Sequence, residues 1–195
     1  MKQSENNAKL KRRAFLRRGA LASVGMGLFP LTGRAQPLSQ TRAEVRRYVP
    51  LGNTGMKISD ISFGASRLGA GEEDIVRHAF ERGINYFDTA ESYEDGGSEK
   101  AIREGLAGVR DRVTLVSKTH CGPKTSRAEL EKSLDASLKR LRTDRVDIYL
   151  NHAVNPVSGL KNPAWPELAG GAKKAGKIRS SGMSGHGGQL IPCLD

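Results

Sequence analysis

The stretch NYFDTAESY, residues 85–93, gives the first indication of the fold, because it joins the end of a strand to groups that can carry out chemistry. Tyr86 and Phe87 begin an apolar, strand-like run, Asp88 follows at once, and Tyr93 comes five residues later. An acid and a phenol directly after a buried strand suit a site at the carboxyl end of a parallel sheet. The flanking segments must then show whether such a sheet exists.

Helix-like segments lie on both sides of this stretch. Residues 72–83, EEDIVRHAFERG, have apolar residues at helical spacing and end at Gly83, a favourable position for a left-handed cap. Residues 98–111 place apolar residues on one face, and Ser98 is expected to cap their start. The residues expected to face the core from these two helices are Ile75, Val76, Ala79, Phe80, Ile102, Leu106 and Val109.

The strongest helix prediction begins at Ser126, which has capping-box spacing with Glu129. Apolar residues then recur at intervals of four and three, at Leu130, Leu134, Leu138 and Leu141. A weaker helix follows and is interrupted by Pro163, Pro166 and the pair Gly170-Gly171.

Strand-like segments alternate with these helices. The turn sequence GNTG at 52–55 favours a hairpin, and ISDISFGAS, with Ile58, Ile61 and Phe63, is expected to supply the first buried strand. Further strands are predicted in RVTLVSKT (112–119), RVDIYLNHA (145–153) and KIRSSGMSGH (177–186). Strand and helix alternate five times, which indicates an α/β fold of consecutive βα units with parallel strands.

Two architectures fit this alternation, an open doubly wound sheet and a closed (β/α)8 barrel of TIM type. A doubly wound dinucleotide-binding sheet carries a G-x-G-x-x-G fingerprint after its first strand, and FGASRLGAGEED at 63–74 does not supply it. The sequence therefore favours the barrel, whose active sites gather at the carboxyl ends of the strands.

Four titratable side chains stand at those strand ends: Asp88 and Tyr93, then Lys118, then His152. Each alone has a structural explanation, as a turn cap, a half-buried aromatic, a solvated charge or a core histidine. Together they form a proton donor. A free tyrosine has a pKa of about 10, and a nearby ammonium favours the tyrosinate. An aspartate can hold that ammonium, and a histidine can orient a substrate oxygen or relay a proton.

The same segments resemble successive blocks of the aldo-keto reductases. The similarity runs from residue 48 to about 190 and includes FDTAESY, the strand ending at Lys118 and the strand ending at His152, in that order. The resemblance implies an eight-stranded barrel that uses NADPH, or less often NADH, to reduce an aldehyde or ketone substrate.

Carried over residue by residue, the resemblance implies a role for each member of the set. Tyr93 would be the general acid, Lys118 and Asp88 would favour its tyrosinate, and His152 would orient the carbonyl. Ser184 matches the position where the family contacts the nicotinamide carboxamide, and Asp88 would also contact the cofactor. Gly185 stands where the family usually has an asparagine, with His186 as a candidate replacement.

The length of the chain raises a second expectation. An eight-stranded barrel typically needs roughly 250 residues, so the body has room for only about the first five βα units, and a sequence truncated at its carboxyl end is expected. The alternatives are a catalytically silent binding or regulatory protein that retains a partial barrel, and an enzyme that uses the same rim without a nicotinamide.

Residues 1–35 have the composition of a targeting signal. They hold eight Lys or Arg residues and one acidic residue, Glu5, followed by a short apolar run. Arg12-Arg13 followed by Phe15-Leu16 resembles a twin-arginine signal, which predicts recognition by the twin-arginine export machinery and a periplasmic location. A general secretory signal or an uncleaved membrane anchor are the alternatives, and Gly25, Gly27 and Pro30 argue against a stable membrane span.

The predicted organisation is a signal at 1–35, a linker at 36–47 and a partial barrel at 48–195. Because much of the net charge of +11 lies in the signal, the body is only mildly basic and no nucleic-acid partner is expected. Cys121 and Cys193 allow one disulfide but do not require it, and no metal site is predicted.

Overall fold

The computed structural model describes residues 44–154, 158 and 160–186, which form a parallel sheet with helices against one of its faces. The strands are β1 (Tyr48–Pro50), β2 (Lys57–Ser59), β3 (Phe63–Gly64), β4 (Tyr86–Asp88), β5 (Thr114–Thr119), β6 (Val146–Asn151) and β7 (Ile178–Met183). The helices of the described ranges are α1 (Glu73–Glu81), α2 (Gly97–Gly105), α3 (Arg127–Leu141) and α4 (Ala164–Lys174), with 3-10 turns at Tyr93–Gly96 and Arg110–Arg112.

The main sheet has the order β3-β4-β5-β6-β7, and every neighbouring pair is parallel. A described helix follows each of the strands β3 to β6, which confirms the predicted series of βα units. Because all five strands run the same way, their carboxyl ends share one edge of the sheet.

The hairpin β1–β2 is attached to the sheet through Asn85, the residue before β4. Its side-chain oxygen accepts a hydrogen bond from the Ser59 backbone N–H at 2.6 Å, and its amide nitrogen donates to the Lys57 carbonyl at 3.0 Å. In this position of the hairpin, Met56 packs in a small apolar cluster with Val116 and Ile148.

The strands carry different apolar clusters on their two faces, since successive strand residues point to opposite sides. Leu115 on β5 and Tyr149 on β6 belong to the large core formed with the helices. Val116 and Ile148 belong to the small cluster. Lys118, two residues after Val116, is therefore on the face away from the helices.

Helix α3 has the start and the packing that its sequence predicts. The Ser126 hydroxyl accepts from the Glu129 backbone N–H, and the Glu129 carboxylate accepts from the Ser126 backbone N–H. All four leucines of its apolar stripe are buried. Such a cap is worth about 1 kcal/mol. Gly83 has φ +93° after α1, as a left-handed cap requires.

Several local predictions are wrong. Ile61 and Ile75 are 59% and 52% exposed, because β2 ends at Ser59 and α1 turns Val76 and Ala79 towards the core instead.

Ser98 does not cap α2. The helix begins at Gly97, one residue before Ser98, and its N-cap residue is Gly96. The Ser98 hydroxyl is fully buried and donates to the Ala65 carbonyl at 2.9 Å. Helix α4 continues through Gly170-Gly171, because the buried residues Leu168, Ala169 and Ala172 hold it against its neighbours.

In the described ranges, no helix has the length and apolar character needed to cross a bilayer. The predicted export signal, the residues of the linker before Glu44 and Cys193 lie outside the described residues.

Candidate active site

The predicted site residues lie at the shared carboxyl edge of the sheet. Asp88 is the last residue of β4, Lys118 is next to last in β5, His152 directly follows β6 and Ser184 directly follows β7. The register pairs Lys118 with Leu150 of β6, so the ends of neighbouring strands stand level with one another.

Lys118 is the centre of the group. Its ammonium donates to the Asp88 carboxylate, to the Thr89 carbonyl at 2.8 Å and to the Tyr93 hydroxyl oxygen at 3.2 Å. These contacts match the three donors of an ammonium group. Lys118 is only 4% exposed, so its charge is held where solvent screens it weakly.

Backbone hydrogen bonds bring Tyr93 to this lysine. After β4 the chain stays beside β5, because the N–H of Thr89 donates to Val116 and the N–H of Glu91 donates to Lys118. The N–H of Tyr93 then donates to Ala90, which closes the turn. The Lys118 nitrogen lies 4.6 Å from the centre of the Tyr93 ring.

The turn that carries Tyr93 has an uncommon backbone. Glu94 and Asp95 have φ values of 49° and 51°, and Gly96 has φ 79°. Positive φ is disfavoured for residues with a Cβ atom and is common at functional sites. It allows the chain to pass from Tyr93 into α2 within three residues.

His152 lies against two other rings. It meets Tyr93 edge-on at a centroid distance of 5.4 Å and stacks on His120 at 4.6 Å and 16°. Burial, and after it the charges of His120, Lys118 and His186, together lower the pKa of His152 to about 4. At neutral pH the ring is therefore uncharged and has one N–H donor.

Ser184 is anchored to the end of β6. Its backbone N–H donates to the Asn151 carbonyl, its own carbonyl accepts from Val154, and its hydroxyl oxygen accepts from the Ala153 N–H at 3.2 Å. Asp88, Tyr93, Lys118 and His152 thus form one contiguous group, and these bonds place Ser184 on the same rim beside Ala153, the residue that follows His152.

Residues that the sequence analysis did not select also take part. His120 stacks on His152, and the Ser92 hydroxyl lies 3.4 Å from His152 Nδ1. Their positions in the sequence could have indicated them, because Ser92 directly precedes Tyr93 and His120 is two residues after Lys118.

Polar residues also support the site from the helix side. The Glu91 carboxylate accepts from the Thr119 hydroxyl. Glu99 of α2 is fully buried and binds the Ser117 hydroxyl and the Arg140 guanidinium. Burial, and then the charge of Glu91, raises the pKa of Tyr149, so this phenol stays protonated.

Cys121 is a buried free thiol whose pKa is raised by burial, so it is a poor nucleophile. Among the residues that the structure describes, no three His, Cys, Asp or Glu side chains are placed to hold a metal ion.

The arrangement can perform general acid chemistry. A phenol beside a buried ammonium can release its proton to an acceptor, because the charge favours the tyrosinate left behind. A neutral imidazole next to that phenol can donate a hydrogen bond to the same acceptor.

Comparison with known proteins identifies the family and the fold. A sequence model of the "Aldo/keto reductase family" matches residues 60–191. The chain is 37% identical over 164 residues to L-galactose dehydrogenase of Arabidopsis thaliana, covering 74% of this chain and 49% of that protein. It is 38% identical over 116 residues to methylglyoxal reductase YeaE of Escherichia coli strain K12, covering 58% and 38% respectively.

A solved structure shows the same fold. The aldo/keto reductase from Klebsiella pneumoniae, crystallised with NADP and acetate, superposes with a TM-score of 0.57 at 28% identity, covering 71% of this chain and 50% of that one. The chain therefore spans about half the length of the relatives it matches, and its five parallel strands correspond to part of a TIM barrel.

Proposed function

The chain belongs to the aldo/keto reductase family, and we propose that the protein reduces an aldehyde or ketone to an alcohol with NADPH, or with NADH. The observation that carries the proposal is the Lys118 ammonium, which contacts the Asp88 carboxylate and the Tyr93 hydroxyl at once. The relative named methylglyoxal reductase supports a small carbonyl compound as the substrate class.

Tyr93 is the proposed proton donor. Its hydroxyl protonates the carbonyl oxygen as the alcohol forms, and Lys118 stabilises the tyrosinate that results. Asp88 accepts a hydrogen bond from the ammonium and so holds it beside the phenol. His152, neutral at physiological pH, donates a hydrogen bond that orients the carbonyl oxygen.

Ser184 and Asp88 are the proposed cofactor contacts. Ser184 uses an oxygen lone pair to accept from the Ala153 N–H, so its hydroxyl proton can point to an amide oxygen. This donor suits a nicotinamide carboxamide at the carboxyl edge of the sheet. When bound, the nicotinamide supplies the hydride that adds to the carbonyl carbon. The neighbour crystallised with NADP supports this choice of cofactor.

The test uses Tyr93→Phe, with cofactor binding and turnover measured separately. The unsubstituted protein should quench or shift NADPH fluorescence and oxidise NADPH when an aldehyde is added. Tyr93→Phe should bind NADPH equally well and lose most of the turnover. Tyr48→Phe is the matched control, because Tyr48 lies on the hairpin and its hydroxyl donates to the Gly83 carbonyl. Full turnover by Tyr93→Phe would refute the role of the phenol, and binding without turnover in the unsubstituted protein would favour a silent binding protein.

Export is a separate proposal that rests on sequence. We propose that residues 1–35 are a twin-arginine signal, that 36–47 are a linker, and that the domain from residue 48 acts in the periplasm. Replacing Arg12-Arg13 by Lys-Lys should retain the precursor in the cytoplasm, as cell fractionation would show. Unimpaired export would reject the assignment.

A further inference from the structure

We propose that Ser92 is a positioning residue that sets the tautomer of His152, so that ring nitrogen Nε2 holds the proton and can donate to the substrate carbonyl oxygen. This inference rests on the proposed function for its catalytic consequence, but the tautomer itself is a property of the folded chain.

The first step is the geometry around the ring. The Ser92 hydroxyl oxygen lies 3.4 Å from His152 Nδ1, although the two residues are 60 positions apart. His120 covers one face of the ring, and Tyr93 meets it at an interplanar angle of 82°. The neighbouring rings restrict the tilt of the imidazole, and Ser92 meets a defined nitrogen.

The second step is the number of protons on the ring. A neutral imidazole has one N–H and one acceptor nitrogen, and the partner of one nitrogen determines the role of the other. Burial first, and then the charges of His120, Lys118 and His186, together bring the pKa of His152 to about 4. The ring is therefore neutral at pH 7, and the choice between its two tautomers remains open.

The third step is the chemistry of the substrate. A carbonyl oxygen only accepts hydrogen bonds, so the nitrogen that orients it must be a donor. If Nε2 donates, Nδ1 must accept, and the group beside Nδ1 must be able to donate. A serine hydroxyl can do so, whereas alanine or valine at position 92 cannot. Ser92 also directly precedes Tyr93 in the chain. The residue that contacts the orienting imidazole is therefore the neighbour of the proton donor.

The charges around the ring are consistent with this role. The titratable groups near it are Tyr93 and His120, whose rings contact it, Lys118 with its partner Asp88, and His186. Burial of the ring, together with the positive charge of Lys118, disfavours a second proton on it, so protonation of Nδ1 does not compete with the Ser92 hydrogen bond near neutral pH.

The test is a ring nitrogen-15 NMR measurement on the full chain at pH 7, with His152 assigned by comparison with His152→Gln. We expect a pyridine-like shift for Nδ1 and a pyrrole-like shift for Nε2. Ser92→Ala should move both shifts towards averaged values, and Ser92→Thr, which keeps a hydroxyl, should restore the original pattern. Ser62→Ala, at an exposed position before β3, should change nothing. A proton on Nδ1 in the unsubstituted chain, or an unchanged pattern in Ser92→Ala, would overturn the proposal.

Kinetics provide the second readout. In the active protein, Ser92→Ala should lower kcat/KM for the carbonyl substrate about tenfold and leave the Kd for NADPH unchanged, which corresponds to the loss of one hydrogen bond. Ser92→Thr should recover most of the loss. Equal kcat/KM for Ser92→Ala and the unsubstituted protein would overturn the catalytic consequence. Absence of any reductase activity together with the expected tautomer pattern would reject the proposed function and support the positioning role.

Discussion

The ammonium nitrogen of Lys118 lies 3.2 Å from the hydroxyl oxygen of Tyr93 and 4.6 Å from the centre of its ring. The lysine therefore contacts the phenol through the oxygen and also faces the π system. A cation in this position stabilises the phenolate through the oxygen and holds the ring in place. The Asp88 carboxylate and the Thr89 carbonyl take the remaining protons of the ammonium.

Removing the ammonium should abolish most carbonyl reduction. We expect Lys118→Met to lower kcat/KM about a hundredfold or more, because the tyrosinate loses the charge that stabilises it. NADPH oxidation measures turnover, and fluorescence titration checks that the cofactor still binds. Lys57→Met, on an exposed residue of β2, is the control and should retain full activity. Equal turnover in both variants would contradict the assignment.

His152 should make stability depend on pH in a defined window. Its folded-state pKa of about 4 is below the unfolded value of about 6.5, so between these values the unfolded chain binds more protons. Stability should therefore rise as pH increases from about 4 to 6.5, and His152→Gln should reduce that slope. Urea unfolding at several pH values measures it, with His78→Gln on the exposed side of α1 as control. A slope identical in His152→Gln and the unsubstituted chain would be inconsistent with this prediction.

The buried pair of Glu99 and Arg140 should matter for folding. Glu99 is fully buried, so Arg140→Met would leave its carboxylate without a charged partner and should cost about 3–5 kcal/mol of unfolding free energy. Adding Glu99→Leu should recover part of that loss, because it removes the unpaired charge. Arg127→Met, in the exposed pair with Glu131, should cost less than about 0.5 kcal/mol. Similar losses for Arg140→Met and Arg127→Met in urea unfolding would show that burial does not control the effect.

Two helical glycines should respond in opposite directions to alanine. A Cβ atom on Gly105 would lie 2.5 Å from Val76 Cβ and 2.8 Å from the Glu73 carbonyl, so Gly105→Ala should destabilise by about 1–3 kcal/mol. Gly170 has nothing within 4 Å of that position, so Gly170→Ala should stabilise α4 by up to about 1 kcal/mol. Thermal unfolding of both variants tests the pair, and a stable Gly105→Ala would mean that α1 and α2 can separate.

The order of strands and helices could be predicted because the interactions behind it are local. The capping box of Ser126 and Glu129 joins residues three positions apart, and the stripe from Leu130 to Leu141 repeats with the period of a helix. The alternation of such segments indicates parallel strands. Parallel strands bring their carboxyl ends together, so the sequence alone predicts that Asp88, Tyr93, Lys118 and His152 share one edge of the sheet.

The wrong predictions arise because a local sequence pattern carries no information about tertiary contacts. An apolar residue at helical or strand spacing does not reveal whether another element covers it, and Ile61 and Ile75 remain exposed for this reason. Ser98 has the chemistry of a helix cap, but tertiary packing buries it against the Ala65 carbonyl and moves the helix start.

The sequence by itself therefore determined the series of βα units and the types of side chain at the carboxyl edge of the sheet, because periodicity and strand direction follow from neighbouring residues. Only the tertiary structure decided that Lys118 contacts Asp88 and Tyr93 together, that His120 stacks on His152, and that Ser92 reaches His152 Nδ1. These contacts join the ends of different strands and the turns that follow them, and their distances depend on how each turn packs over the sheet, which no short-range pattern specifies.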